Sequence, residues 1–187
     1  GQDSSRLRTA EQTDLAQFWG PSLVTVLAGG LPAAVAGVGP HEAARLLSQV
    51  WRISLDAQLA VYQAKYAYAW WRPVTALRED DGDPSTPVVL QWLPLLPTPP
   101  QPEYPSAHTA IAAAFAAVLD ARSGPTRSFT LTSPGVPGVR RHYSRWQQVV
   151  EENIDARVFA GVHFRSSDEV GAALGRQVSA YDLATVG

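Results

Sequence analysis

Apolar residues recur at helical spacing along much of this 187-residue chain. The clearest case runs from His41 to about Trp71, where apolar side chains return every three or four positions. Pro73 follows, and proline pushes the residue before it out of the α region, so the helix is expected to end there. Similar patterns predict helices over residues 8–19, 106–122, 143–159 and 168–183. The predicted fold class is all-α, a helical bundle.

The predicted connections between these helices are long and rich in proline and glycine. The uncharged stretch from Leu15 to Pro40 is long enough to raise the question of a membrane span. Its glycines and prolines instead favour a buried or pocket-lining irregular segment. The proline-dense stretch from Pro84 to Pro105 predicts a stiff loop packed on the body, and Ser123 to Val139 predicts another loop. We interpret residues 1–187 as one domain.

The amino-acid composition argues against several classes of function. A net charge of −2 and a pI near 6.1 argue against a general binder of nucleic acid or anionic membranes, which needs a basic excess. The absence of Cys excludes disulfides, thiolate metal sites and cysteine nucleophiles. Lys65 is the only lysine among 15 basic residues, which suggests a specific need for lysine at that position.

Lys65 and Arg72 are seven residues apart in the long predicted helix. On a helix this spacing places both side chains on one face, offset by only about 20°. Two long cations on one face can converge on a single anion. The alternative is that both side chains run along an aromatic surface to reach solvent.

The stretch Pro105-Ser106-Ala107-His108 opens an alanine-rich helix. A helix N-terminus presents free N–H groups and partial positive charge, which suit an oxyanion. Ser106 is placed to cap the helix and to donate to an anion, and His108 to exchange protons with it. The alternative is an ordinary cap beside a surface histidine.

A third group combines Arg157, His163 and Asp168. On a straight helix Arg157 and His163 would point about 120° apart. Their convergence needs a break, for which Gly161 is the candidate. His163 is either a buried structural histidine or a ligand or nucleophile, and Asp168 either caps the next helix or orients His163.

Three motifs in this order resemble the superfamily of vanadium-dependent haloperoxidases and type 2 phosphatidic acid phosphatases. They are KYAYAWWRP at 65–73, PPQPEYPSAH at 99–108 and ARVFAGVHFRSSDE at 156–169. The aromatic residues before Arg72 and the Tyr-Pro before Ser106 are more similar to the haloperoxidase branch. The resemblance implies a helical bundle around one tetrahedral oxyanion, which is vanadate in the peroxidases and phosphate in the phosphatases.

The resemblance also implies a role for each motif residue. His163 would be the apical ligand of vanadium, or the nucleophile of a phosphatase, and His108 would move protons. Lys65 would also polarise bound peroxide, a task that suits a compact ammonium. The oxyanion itself would be held by Lys65, Arg72, Ser106, the N–H of Ala107 and Arg157.

The chain departs from the family pattern at several positions. Ala107 stands where the family has glycine, and Ser167 where an aspartate often follows the histidine, with Asp168 one position later. Gln101 occupies the position five residues before Ser106 where other members carry an aromatic residue or a histidine, so no halide preference follows. No carboxylate partner for His108 can be named. Bacterial relatives are usually longer and often exported, so we expect this chain to match their C-terminal part and to act outside the cytoplasm.

The leading hypothesis is therefore a vanadate-dependent haloperoxidase that oxidises halide with hydrogen peroxide. The first alternative is a phosphomonoesterase with a phosphohistidine intermediate at the same site. The second is a degenerate protein that binds an oxyanion without turnover, which Ala107 and the shifted Asp168 favour. The expected ligands are small molecules: vanadate or phosphate, with peroxide and halide or a phosphate ester.

Overall fold

The computed structural model describes residues 1–20 and 22–185. Its elements, in chain order, are α1 (Ala10–Trp19), α2 (Leu23–Ala28), α3 (Leu31–Ala34), α4 (Pro40–Tyr68), α5 (Pro73–Arg78), α6 (Ala107–Ser123), β1 (Thr126–Thr132), β2 (Arg140–Arg145), α7 (Gln147–Ala160) and α8 (Arg165–Thr185). The fold is mainly helical, as predicted.

Helix α6 forms the centre of the bundle, packing against α4, α7 and α8. Its alanines are buried along almost the whole helix, and their small side chains let neighbouring helices approach closely. Helix α8 comes so near that a Cβ added at Gly171 would lie 2.3 Å from the Ser106 carbonyl oxygen. A hydrogen bond from the Ser106 N–H to the Ser167 carbonyl (3.0 Å) also joins the beginnings of α6 and α8.

The two strands form an antiparallel hairpin that the sequence analysis did not predict. The expected loop at 123–139 contains β1, and the helix expected from Tyr143 starts at Gln147 because Tyr143 belongs to β2. Phe129 lies opposite Tyr143, and their rings stack at 5.1 Å. Cross-strand pairing and burial of this aromatic pair therefore override the helical pattern.

The stretch from Leu15 to Pro40 is also more regular than predicted. It contains the end of α1 and the short helices α2 and α3. Several of its residues do line cavities, as expected: Ser22, Leu23, Val24 and Thr25 face one, and Gly20 faces another. No helix within residues 1–20 and 22–185 combines the length and apolar character needed to cross a membrane.

Candidate active site at the junction of α4, α6, α7 and α8

Lys65 lies in the last turn of α4 and is fully buried. Its ammonium donates to two backbone carbonyls of the proline-rich loop, Pro102 at 2.7 Å and Glu103 at 2.8 Å. The alternative of a side chain running out to solvent is therefore wrong. Burial, followed by the charge of Arg72, lowers the pKa of Lys65 to about 7.

Arg72 reaches the same region by a route that the sequence analysis did not predict. Helix α4 ends at Tyr68, because Ala69 adopts the left-handed conformation with φ 51°, and Arg72 is the N-cap of α5. The shared-face argument for Lys65 and Arg72 is thus wrong, although both cations are buried near each other. The Arg72 guanidinium donates to the carbonyls of Gln101 (3.0 Å) and Val162 (2.8 Å) and to Nε2 of His163 (3.0 Å).

His163 is buried and bonded at both ring nitrogens. Its Nδ1 lies 2.7 Å from Oε1 of Glu103, and its Nε2 meets Arg72. A guanidinium can only donate, so Nε2 must be the acceptor and Nδ1 must carry the proton. The ring is thus fixed with an unprotonated Nε2 that accepts from Arg72.

The charge state of His163 follows from the same surroundings. Burial, and then the charges of Arg157, Arg72 and Lys65, lowers its pKa well below the ordinary value. The imidazole is therefore neutral at neutral pH. A neutral ring with a lone pair on Nε2 suits a ligand of an electrophilic centre or a nucleophile.

Glu103 is the partner of His163 that the sequence analysis missed. Its carboxylate is fully buried and also accepts the Phe164 N–H (3.0 Å) and the hydroxyl of Ser167. Asp168, the predicted orienting residue, makes no hydrogen bond to His163, and it lies inside the first turn of α8 rather than at its cap. One sequence signal pointed to Glu103: it is the only acidic residue between Asp83 and Asp120.

Arg157 and Ser106 bring unpaired polar atoms to the same region. Arg157 lies in the last turn of α7, and Gly161, with φ 75°, makes the predicted break that brings Arg157 and His163 together. Both residues are buried, and neither Nε of Arg157 nor Oγ of Ser106 has a hydrogen-bond partner among the described residues. Ser106 is the N-cap of α6, as predicted, but its hydroxyl makes no capping bond.

Asp168 is buried beside these groups, and neither of its carboxylate oxygens has a hydrogen-bond partner in the described parts of the chain. Burial raises its pKa well above the ordinary value, opposed by the charge of Arg157. Buried polar atoms without partners are rare in native proteins and call for a ligand or another explanation.

His108 lies in the first turn of α6 between two cavities. A cavity of about 420 Å³ is lined by His108, Gln101 and Ala107, and a smaller apolar one of about 240 Å³ by His108 and Arg157. Its Nε2 lies 3.3 Å from the Gly20 carbonyl, which can only accept, so Nε2 carries the proton and Nδ1 is unprotonated. Burial, then Arg157, lowers the pKa of His108 well below the ordinary value, leaving a neutral base.

Comparison with known proteins identifies the family. A family model described as the VCPO second helical-bundle domain matches residues 49–186. The chain belongs to this family. No protein of curated function matches the chain.

Solved structures of vanadium haloperoxidases share the VCPO-domain fold of this chain. A bacterial vanadium-dependent iodoperoxidase is similar over 94% of this chain, with a TM-score of 0.80 and 25% identity. Bacterial vanadium-dependent chloroperoxidases in holo and apo forms cover 95% of this chain with TM-scores of 0.77 at 20% and 21% identity. The chain spans only 44–45% of the length of these three relatives.

The site of this VCPO-family chain fits an oxyanion better than a metal cation. Within the described residues, no group of three or more His, Asp or Glu side chains is placed to hold a metal ion. The buried groups besides His163 are two carboxyls, Glu103 and Asp168, and three cations, Lys65, Arg72 and Arg157, together with the unpaired Oγ of Ser106. Vanadate is itself an oxyanion, so the donors present match it, and they match phosphate equally.

Proposed function

We propose that this chain carries the oxyanion site of a vanadate-dependent haloperoxidase, which oxidises halide with hydrogen peroxide. The observation that carries the proposal is the arrangement of His163: a neutral ring whose unprotonated Nε2 accepts from Arg72, with the charges of Arg157 and Lys65 nearby. Membership of the VCPO-domain family supports the same proposal.

The residues that would hold vanadate follow from their positions. His163 Nε2 would bind vanadium, and Arg157 and Ser106 would use their free donors on its oxygens. Lys65 and Arg72 would add charge, and the first N–H groups of α6, including that of Ala107, would donate as at any helix N-terminus. When bound, vanadate supplies a Lewis acid that activates peroxide toward attack by halide.

His108 and Lys65 would handle protons and charge next to this group. His108 is neutral, with Nδ1 unprotonated, so it can accept a proton from incoming peroxide as a general base. Lys65, held by two carbonyls, presents its ammonium in a fixed direction and would polarise the peroxide. Both roles would be carried out at or next to the proposed oxyanion site.

The test is peroxide-dependent bromination or iodination of a dye by the vanadate-loaded protein. Turnover is expected with vanadate, and its loss is expected in His163→Ala. Glu152→Gln, which alters a carboxylate between α1, β2 and α7, is a control expected to keep turnover. Absence of turnover with both halides in a protein that has an intact His163 would overturn the proposal.

The second candidate is a phosphomonoesterase at the same site. It is favoured by the pairing of His163 Nδ1 with Glu103, which leaves Nε2 unprotonated and able to attack phosphorus once Arg72 donates to the phosphate instead. This function predicts hydrolysis of an aryl phosphate that is lost in His163→Ala and inhibited by vanadate as a transition-state mimic. Binding of vanadate or phosphate with neither activity would instead indicate the degenerate oxyanion-binding protein.

A further inference from the structure

Glu103 connects the separate parts of the site through both its backbone and its side chain. Its N–H donates to the Trp70 carbonyl (2.9 Å), and its own carbonyl accepts from the Lys65 ammonium (2.8 Å). These two bonds tie the proline-rich loop to the end of α4 and to the segment that follows it. The residue is fully buried, and these two bonds hold its backbone in place independently of its side chain.

The carboxylate of Glu103 uses both oxygens. Oε1 accepts from Nδ1 of His163 (2.7 Å) and from the N–H of Phe164 (3.0 Å), and Oε2 accepts from the hydroxyl of Ser167. The three donors all come from the turn between α7 and α8 and the first turn of α8. A carboxylate held this way cannot rotate without breaking several bonds.

We propose that Glu103 is the positioning residue of this site: its carboxylate fixes the His163 ring so that Nε2 meets Arg72, and Ser167 holds the carboxylate in place. The inference rests on the proposed function only in taking the site to bind an oxyanion. Groups that hold the second nitrogen of a ligating histidine orient the ring and raise its basicity, and their loss typically costs 10- to 100-fold in affinity or activity.

A merely structural carboxylate would give a different result. Glu152 provides the comparison, because it also accepts several bonds, from Trp19, Arg141 and Tyr143. Removing such a group lowers stability but leaves ligand affinity unchanged in the molecules that remain folded. The experiment must therefore measure the His163 hydrogen bond and oxyanion affinity directly, well below the temperature of unfolding.

The experiment uses ¹H–¹⁵N NMR of the histidine rings, with His163 assigned by comparison with His163→Gln. The wild-type protein is expected to show a downfield, slowly exchanging Nδ1–H resonance of His163. This resonance should disappear in Glu103→Ala and persist with a smaller downfield shift in Glu103→Gln, whose amide oxygen still accepts. It should be unchanged in Glu152→Gln. Persistence of the resonance in Glu103→Ala would overturn the proposal.

Binding of orthovanadate and of inorganic phosphate, measured by calorimetry, gives the second readout. Glu103→Ala is expected to weaken both by about 10- to 100-fold. Glu103→Gln and Ser167→Ala should weaken them less, and Glu152→Gln not at all. An affinity for Glu103→Ala within about twofold of wild type would also contradict the proposal, because twofold lies far below a positioning effect.

The two readouts separate this inference from the proposed function. If the protein shows no haloperoxidase activity, the Nδ1–H resonance and its dependence on Glu103 still decide the role of Glu103. If haloperoxidase activity is present but the resonance survives in Glu103→Ala, the proposed function stands and this inference fails.

Discussion

Two clusters of charged side chains join the helices of this fold, and they are built in opposite ways. In the first, the Glu152 carboxylate accepts from the Trp19 indole, the Tyr143 hydroxyl and the Arg141 guanidinium, which also bridges to Glu11. In the second, at the candidate site, three buried cations meet only two buried carboxyls, Glu103 and Asp168.

The two clusters differ in whether any hydrogen-bond donor is left without a partner. The Glu152 cluster matches each charged group with an opposite charge, and burial together with Glu152 keeps Tyr143 protonated by raising its pKa. In the candidate site, Nε of Arg157 and Oγ of Ser106 have no partner among the described residues. A closed cluster of charges serves folding, whereas the donors left unpaired at the candidate site would bind the anion of the proposed function. We therefore expect substitutions in the two clusters to differ in their effects on the free energy of unfolding and on oxyanion affinity.

The largest contrast is expected between two arginines. Arg157→Met should weaken orthovanadate binding by about 10- to 100-fold, because hydrogen bonds to charged groups contribute about 1.5–3 kcal/mol each. It should change the free energy of unfolding little, because burial of the Arg157 charge is costly and Asp168 offsets only part of that cost. Calorimetry and urea denaturation measure the two effects.

Arg141→Met is the matched control for Arg157→Met. It leaves Glu152 without its cation, so it should lower the free energy of unfolding by about 1–3 kcal/mol and leave vanadate affinity unchanged. If both arginine variants lost stability and neither lost affinity, the distinction between the clusters would be wrong.

A second contrast, between the wild type and Lys65→Arg, is expected in the pH dependence of oxyanion binding. Because the pKa of Lys65 is lowered to about 7, the free protein loses this charge as the pH rises through neutrality. Vanadate affinity of the wild type should therefore fall, relative to Lys65→Arg, by up to about tenfold per pH unit above 7. A guanidinium stays protonated throughout this range. The ratio of the two dissociation constants between pH 6 and 9 measures the effect, and a constant ratio would contradict it.

The smallest contrast is between two buried serines. Ser106→Ala removes a hydroxyl without a partner, so stability should not fall, while oxyanion affinity should drop by about tenfold. Ser133, in contrast, donates to the Phe18 carbonyl at 2.6 Å. Ser133→Ala should show the reverse, a loss of about 1 kcal/mol in stability with unchanged affinity. Thermal unfolding and calorimetry on both variants check this pair.

The sequence predicted those parts of the molecule that depend on local pattern. The long helix ending near Lys65 and the helix starting at Ser106 follow from apolar periodicity and from the serine that precedes the alanine run. The break at Gly161 was also predictable, because two side chains of one motif could converge only if the helix ended there. The hairpin was not predictable, because it depends on the pairing of Phe129 with Tyr143, two residues that are not local neighbours in the sequence.

At the candidate site, the sequence predicted which side chains lie together better than how they are brought together. Lys65 and Arg72 do come together, but through the left-handed turn at Ala69 rather than through one helical face. Glu103 lies in a proline-rich loop, whose path no periodicity describes, and its partner His163 is 60 residues away. Which carboxylate meets the histidine is decided by how this loop packs between α4 and α8.

The most direct test is the crystal structure of the vanadate-loaded protein. The account predicts vanadium within bonding distance of Nε2 of His163, with Arg157 and Ser106 donating to its oxygens and Glu103 still bonded to Nδ1. Vanadium bound elsewhere, or an ordered site in which His163 makes no bond to it, would contradict the account.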